Sequence, residues 1–218
     1  MRPDAVPAPT VRRLSLYLRQ LEAMQQSGKS TVSSKELGAA LDLTDAQVRK
    51  DLAWFGQFGQ PGIGYRVGDL AARVRSILGA DKPRNVVLVG AGRLGSALAR
   101  YEGFREKGFR LVGVFDEDPE RIGRDVSPEG DMVVRSMDDL EAMVSEQNVH
   151  LGIICVPAST AQAVADRLVA AGVKGLMNFA PTTLRVPADV ALSGVDLAVQ
   201  LEQVSFQVGA LAAGSEGS

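Results

Sequence analysis

The stretch NVVLVGAGRLGSALAR, residues 85–100, decides how the chain is read. Four apolar residues, Val86, Val87, Leu88 and Val89, run into Gly90, Gly92 and Gly95 at G-x-G-x-x-G spacing, and a helix-forming segment, residues 94–100, follows at once. The pattern predicts a buried strand that ends in a glycine turn and opens a helix. Glycine serves three ends in such a turn: the tight bend itself, close approach of backbone to a pyrophosphate, and close packing of helix on strand, with N–H groups and the helix dipole facing the phosphates. A second apolar strand, residues 111–115, ends at Asp116, about twenty residues on, where an acidic side chain bonds a ribose hydroxyl in dinucleotide-binding folds. The competing reading of the same residues is a glycine turn in an α/β sheet that holds no ligand.

Downstream, apolar and helical segments alternate. Strands are expected at residues 132–134, 149–157, 175–179 and 195–199, and helices at 136–144, opened by Ser136, and 159–171, ended by Gly172. Strands alternating with helices mean a doubly wound, Rossmann-like parallel sheet covered on both faces. Ligands in such sheets lie beyond the carboxyl ends of the strands. Gly90, Ala91, Gly92, Arg93, Leu94, Gly95, Asp116, Val156, Pro157, Asn178, Phe179 and Ala180 are therefore expected around one crevice. In the last segment, residues 200–211, Leu201, Val204, Val208 and Leu211 recur at helical spacing with Phe206 off that stripe. This helix has no following strand to lead into; it is free to pack on its own sheet or to reach a second subunit.

Upstream, the chain holds a block large enough to fold alone. Leu14, Leu18 and Leu21 form one stripe of a first helix over residues 11–24. Ser33 with Glu36, and Thr44 with Gln47, are capping-box signals for helices over residues 34–41 and 45–55. Two short helices joined by a brief turn make a helix-turn-helix. On the third helix Val48, Leu52 and Phe55 share one face, while Ala46, Lys50 and Ala53 point the other way with Arg49 on their shoulder. Small residues beside two cations suit close approach to a DNA major groove, although a solvated cationic face fits the same pattern. Residues 56–67, with four glycines and a proline, read as a hairpin or wing. Ser33, Lys35, Ala46, Gln47, Arg49, Lys50, Tyr65 and Arg66 are the candidate DNA contacts. Asp69 is expected to cap a helix carrying Leu70, Val74 and Ile77 that stops at Gly79, and residues 81–84 make a linker. The boundaries that follow are 1–80 for a winged-helix DNA-binding domain, 84–199 for the nucleotide domain and 200–213 for a terminal dimerisation helix.

Charge agrees with this division. The 218 residues carry a net −2, but residues 1–80 hold 11 Lys and Arg against 7 Asp and Glu, net +4, and residues 81–218 hold 13 against 19, net −6. The first block thus suits an anionic partner. One cysteine, Cys155, and one histidine, His150, exclude an intrachain disulfide and a Cys/His metal cluster. No apolar run approaches the ~18 residues of a membrane span and no leader pattern opens the chain, which points to a cytoplasmic protein. The Pro/Ala-rich first ten residues and the tail, residues 214–218, are expected to be disordered.

The chain resembles the Rex family of redox-sensing transcriptional repressors over nearly its whole length. The resemblance rests on RRLSLYLRQL (12–21), QVRKDLAWFGQFG (47–59), GIGY (62–65), VGAGRLGSALA (89–99), FDEDPERIG (115–123), AGVKGLMNFAP (171–181) and VDLAVQLEQVSF (195–206), in that order. It implies a homodimer whose winged helices bind an inverted-repeat, double-stranded operator when NADH is low and release it when NADH binds, with NAD, reduced or oxidised, as cofactor. It further implies a last helix swapped between subunits, Phe206 near the partner's nicotinamide, Tyr101 near the same ring, and Arg13 and Asp196 as polar contacts between the domains. Two rival classes stand beside this one: a nucleotide-dependent enzyme, such as a small dehydrogenase or a coenzyme A ligase subunit, and a structural dimer with an inert nucleotide fold. Hydride transfer calls for a proton donor near the ring, and His150, at the start of a strand, is poorly placed to be one.

Overall fold

The computed structural model describes residues 6–59, 63–127, 130 and 132–215. The chain divides into two compact units, Met1–Lys82 and Pro83–Ser218.

The first unit contains helix α1 (Ala8–Gln26), strand β1 (Thr31–Val32), helices α2 (Ser34–Ala39) and α3 (Asp45–Ala53), strand β2 (Tyr65–Arg66) and helix α4 (Val67–Ile77). Leu14, Leu18 and Leu21 bury the expected stripe of α1, joined by Tyr17, against Leu37, Val48, Leu52, Val67, Leu70 and Val74. The Ser33 capping box forms in full: Ser33 Oγ accepts the Glu36 N–H at 3.1 Å and Glu36 Oε2 accepts the Ser33 N–H at 2.8 Å. The Thr44 box forms only in half. Thr44 Oγ1 accepts the Gln47 N–H at 3.1 Å, but the Gln47 amide turns to Asp51 instead of back to the cap.

Three expectations for this unit are corrected. Among the described residues, 56–59 and 63–67 do not pair with each other as strands; β2 pairs antiparallel with β1, which precedes α2. The tip, residues 60–62 with Gly62 of the GIGY motif, lies outside the described residues. Phe55 lies beyond the end of α3 yet still packs against the unit's core. Asp69 does not cap α4, which begins two residues earlier with no side-chain cap. Val67 N–H is already satisfied by the Ser30 carbonyl at 3.0 Å, so the helix starts straight out of β2 and leaves Asp69 in its first turn.

The second unit is a six-stranded, all-parallel sheet of β3 (Arg84–Val89), β4 (Phe109–Asp116), β5 (Val134–Ser136), β6 (Leu151–Ile154), β7 (Gly175–Asn178) and β8 (Ala191–Gly194), in the order β5-β4-β3-β6-β7-β8. The order reverses between β3 and β6, the switch point at which such sheets take nucleotides. Helices α5 (Arg93–Ala99) and α6 (Gly103–Glu106) follow β3, α7 (Leu140–Glu146) follows β5, α8 (Ala158–Ala170) follows β6, and α9 (Leu197–Ser215) ends the chain. Alternation along β3 sends Val87 and Val89 to the side of α7 and α8, and Val86 and Leu88 to the side of Leu98, Ala99 and Phe104.

The segment 195–199 is not a strand. Its apolar alternation is overridden by Asp196, whose Oδ1 accepts the N–H groups of Ala198 at 2.9 Å and Val199 at 3.2 Å and so opens α9, while the last strand forms earlier, paired with β7. The third strand is β5 rather than residues 132–134, because Val133 bridges back to Asp125. Ser136 caps a single 3-10 turn, Met137–Asp139, before α7. Arg84, placed in the linker, is the first residue of β3, and α6 was not expected at all. At the ends, Ala8 to Thr10 and Gly214 to Ser215 are helical, and residues 1–5 and 216–218 lie outside the described residues.

Two features of the second unit are left open. One sheet face, with Val86, Leu151, Ile153, Met177 and Leu192, lines an apolar hollow of 310 Å³ bordered by Phe104 of α6. The described side chains of α9 all face solvent, Leu201 at 70% and Phe206 at 78% exposure among them, so α9 does not pack on its own sheet.

Candidate functional site

The glycine turn closes as its spacing demands. Gly90 sits at φ +100°, donates its N–H to Phe115 O at 2.8 Å, and passes so near β6 that a Cβ would collide with the Cys155 carbonyl. A Cβ on Gly95 would strike the Gly90 carbonyl, so α5 can lie on the turn only with glycine there. Gly92, the N-cap of α5, differs. No side chain caps the helix, and a Cβ would meet nothing nearer than Arg121 Nη1 at 3.9 Å. Packing explains two of the three glycines, and open space in front of the third is what a closely approaching phosphate requires.

Asp116, 5% exposed at the end of β4, holds the turn from the other side. Its Oδ2 accepts the Ala91 N–H at 2.7 Å and Arg121 Nη1 at 3.1 Å, and its Oδ1 accepts the Asp118 N–H at 2.9 Å. Burial alone would push this carboxyl up; the two backbone N–H groups and the Arg121 guanidinium outweigh it and hold the carboxyl below its ordinary range. Gly90, Asp116, Asp118, Arg121, Val156 and Pro157 line a cavity of 620 Å³ that extends to Ser136, Thr160 and Arg167. Cys155 lies in the same wall, and burial pushes its thiol up to about 12, so it stays protonated at neutral pH.

The crevice gathers part of the expected set. Asn178 and Ala180 line a separate hollow of 480 Å³ with Asp196. The Asn178 side chain is spent on its own loop, donating to Ala180 O at 3.1 Å and Thr182 O at 2.9 Å and accepting the Ala180 N–H at 2.9 Å. Phe179 packs into the core beneath. Arg93 and Leu94 are exposed on the first turn of α5. Tyr101, 59% exposed, stacks edge-on against Phe104 at 5.1 Å and does not line the crevice, and neither does Phe206.

In the first unit, Ala46, Arg49, Lys50 and Ala53 are exposed together on α3. Arg49 Nη1 is held by Asp45 Oδ2 at 2.6 Å and Ser34 Oγ at 3.2 Å. Ser33, Ser34, Arg49 and Tyr65 line one hollow of 580 Å³ between α3 and the β2 segment, while Lys35 and Arg66 are exposed nearby in the sequence. Behind α3 lies a feature the sequence reading missed. Asp51, 1% exposed, accepts hydrogen bonds from Arg13 Nε at 2.5 Å and Nη2 at 2.7 Å, Tyr17 Oη at 2.7 Å, Thr10 Oγ1 at 3.2 Å and Gln47 Nε2 at 2.8 Å. Arg13, read by resemblance as a contact between domains, is thus engaged inside its own unit. The signal was present: an acid next to Leu52 on the apolar side of α3, with Arg13 and Tyr17 one turn apart on α1.

Fold and geometry define a class: a dinucleotide-type α/β unit with an open glycine turn, in one chain with a small helical unit that exposes a cationic helix face. Known proteins narrow it. A family described as CoA binding domain matches residues 81–182, and one described as putative DNA-binding protein N-terminus matches residues 5–53. A redox-sensing transcriptional repressor Rex from Carboxydothermus hydrogenoformans is 50% identical over 95% of this chain and 99% of its own. Among solved structures, RSP in complex with β-NAD+ and operator DNA is 38% identical, with a TM-score of 0.89 over 97% of this chain and 96% of that one. RSP in complex with β-NADH is 36% identical, with a TM-score of 0.86 over 98% and 99%. The chain belongs to the Rex family of redox-sensing transcriptional repressors.

Proposed function

We propose that this chain binds operator DNA as a homodimer through α3 and the β2 segment, holds NAD(H) in the crevice of the second unit, and releases DNA when NADH binds. One observation carries the reading. Gly92 is a glycine that packing does not require, set beside an acidic strand end, in a chain similar from end to end to a protein solved with operator DNA, with β-NAD+ and with β-NADH. The turn from Gly90 to Gly95 takes the pyrophosphate. Asp116 faces the ribose, and Val156 and Pro157 form the wall beyond β6.

The open sheet face and the exposed α9 complete each other in a dimer: α9 of one subunit covers the apolar face of the other and brings Phe206 of the partner subunit, with Tyr101, to the nicotinamide. An apolar aromatic surround favours the neutral reduced ring, because burying the cationic oxidised ring unpaired is costly. Ser33, Lys35, Ala46, Gln47, Arg49, Lys50, Tyr65 and Arg66 form the DNA face, and Arg13 and Asp196 communicate between the units. No described helix is long and apolar enough to cross a membrane, and a repressor acts where the DNA is, so the protein works in the cytoplasm.

The test is direct. Purified protein should enhance the fluorescence of NADH and shift an operator duplex, and added NADH should abolish the shift. An NADH-binding protein that retards no operator would be the enzyme of the rival reading.

A further inference from the structure

The buried carboxylate of Asp51 does more than tie α1 to α3: it fixes which end of a neighbouring amide faces outward. Gln47 is the third residue of α3, on the N-terminal turn whose side chains reach base edges when a recognition helix enters a major groove. It lies on the border between exposed Lys50 and buried Asp51, half-buried itself. Its Nε2 bonds Asp51 Oδ1 at 2.8 Å. A carboxylate with four other hydrogen-bond donors around it can only accept, so the amide cannot turn its oxygen inward. Among the described residues no buried side-chain nitrogen or oxygen lacks a partner, and no bond engages Gln47 Oε1, so that oxygen is open to solvent.

We infer that Gln47 is a specificity-determining residue that presents a fixed hydrogen-bond acceptor, Oε1, to the major groove and therefore selects a base with an exocyclic amino group, adenine N6 or cytosine N4, at one position of each half-site. An unrestrained glutamine presents either end of its amide and tolerates donor and acceptor edges alike; one locked by Asp51 rejects the acceptor-only edges, guanine O6 and thymine O4. The inference rests on the operator-binding reading above and assigns to Gln47 a base preference distinct from the guanine preference of arginine and from the phosphate contacts that carry no sequence information.

The experiment is a residue-by-base cycle on the full-length protein. A half-site is selected from random duplexes by the wild type. Each adenine is then replaced in turn by purine, which lacks the 6-amino group, and each cytosine by pyrimidin-2-one, which lacks the 4-amino group. At one half-site position the wild type should lose about tenfold in affinity on loss of the amino group. Gln47→Ala, a change at a half-exposed helix position, should bind the intact operator about as weakly and be indifferent to the deletion at that position, while keeping the slope of affinity against salt. Gln47→Met, of similar length but without the amide, should behave as the alanine variant does. The inference is overturned if no amino deletion weakens the wild type, or if Gln47→Ala keeps the full wild-type sensitivity at every position. A wild type that selects no operator at all would instead sink the operator-binding reading from which the inference starts.

Discussion

Removing the Asp51 carboxylate would leave Thr10, Tyr17 and Gln47 with donors facing no acceptor and would free Arg13, one face of which reaches solvent. Breaking a buried pair from one side is costly, and Asp51→Ala should destabilise the protein by about 3 kcal/mol, read from the denaturant midpoint at constant slope. Tyr17→Phe, which removes one donor, should cost about 1 kcal/mol. The pH dependence has a definite sign. Burial pushes the Asp51 carboxyl up, but bonds from Arg13, Tyr17 and Gln47 outweigh it, and the folded carboxyl lies below its ordinary range. A depressed carboxyl contributes stability above its unfolded value of about 4, and that contribution disappears as pH falls through the folded value. Wild type should therefore lose more stability than Asp51→Ala between pH 5 and the acid limit; parallel curves would refute the assignment. Asp116 shares the sign and adds a choice of ligand. Its carboxylate opposes a 2′-phosphate, and its partner Arg121 is the cation that a 2′-phosphate would recruit. Asp116→Asn keeps an oxygen for the Ala91 N–H while releasing Arg121, and should narrow the preference for NADH over NADPH by about tenfold in calorimetric titrations. These residues show how far a sequence can be read. Asp116 was legible from spacing alone, since the strand that carries it must end beside the turn. Asp51 was harder to read: its place beside Leu52 marks it for the apolar side of α3, but most of its partners, Thr10, Arg13 and Tyr17, come from α1, and no spacing within α3 pairs it with them.

At the scale of the element, α9 carries the clearest disagreement between sequence and structure. VDLAV alternates like a strand, but a carboxylate at the second position can take two backbone N–H groups at once, and that local bond wins over alternation. The strand β8 escaped notice because its residues, Ala191 to Gly194, are all exposed and show no apolar pattern. The six-stranded sheet was legible in outline because buried parallel strands are continuous apolar runs, whereas an edge strand is defined by its neighbour's register and not by its own residues. The N-cap gives Asp196 a structural task beside the one proposed for it, and the two are separable. Asp196→Ala should cost the helix about 1 kcal/mol, measured as lost helicity and a weaker dimer in sedimentation. Asp196→Asn should keep the cap and the dimer, so any loss of redox response in that variant belongs to communication between the units. A dimer unchanged by Leu201→Asp, a charge placed on the exposed apolar face of α9, would contradict the role given to this helix.

For the whole molecule the question is how a ligand in one unit alters affinity in the other. The glycine turn lies in Pro83–Ser218 and α3 in Met1–Lys82, so the two ligands are held by different units. In the proposed homodimer, NADH releases DNA by favouring a state in which the two α3 helices no longer match the half-sites. A ligand that binds both states equally shifts nothing, and moving the population from 1:99 to 99:1 requires about 5.5 kcal/mol of differential binding. That free energy is reciprocal: whatever factor NADH takes from operator affinity, operator must take from NADH affinity. Operator binding by fluorescence anisotropy across a series of NADH concentrations should yield the same factor as NADH titration with and without saturating operator. NAD+ should yield a smaller one. Asp196→Asn should leave NADH affinity in the absence of DNA unchanged and shrink both factors together. Unequal factors in the wild type would mean that the two ligands do not meet on one two-state equilibrium. If saturating NADH leaves operator affinity unchanged, the crevice serves something other than the DNA-binding unit.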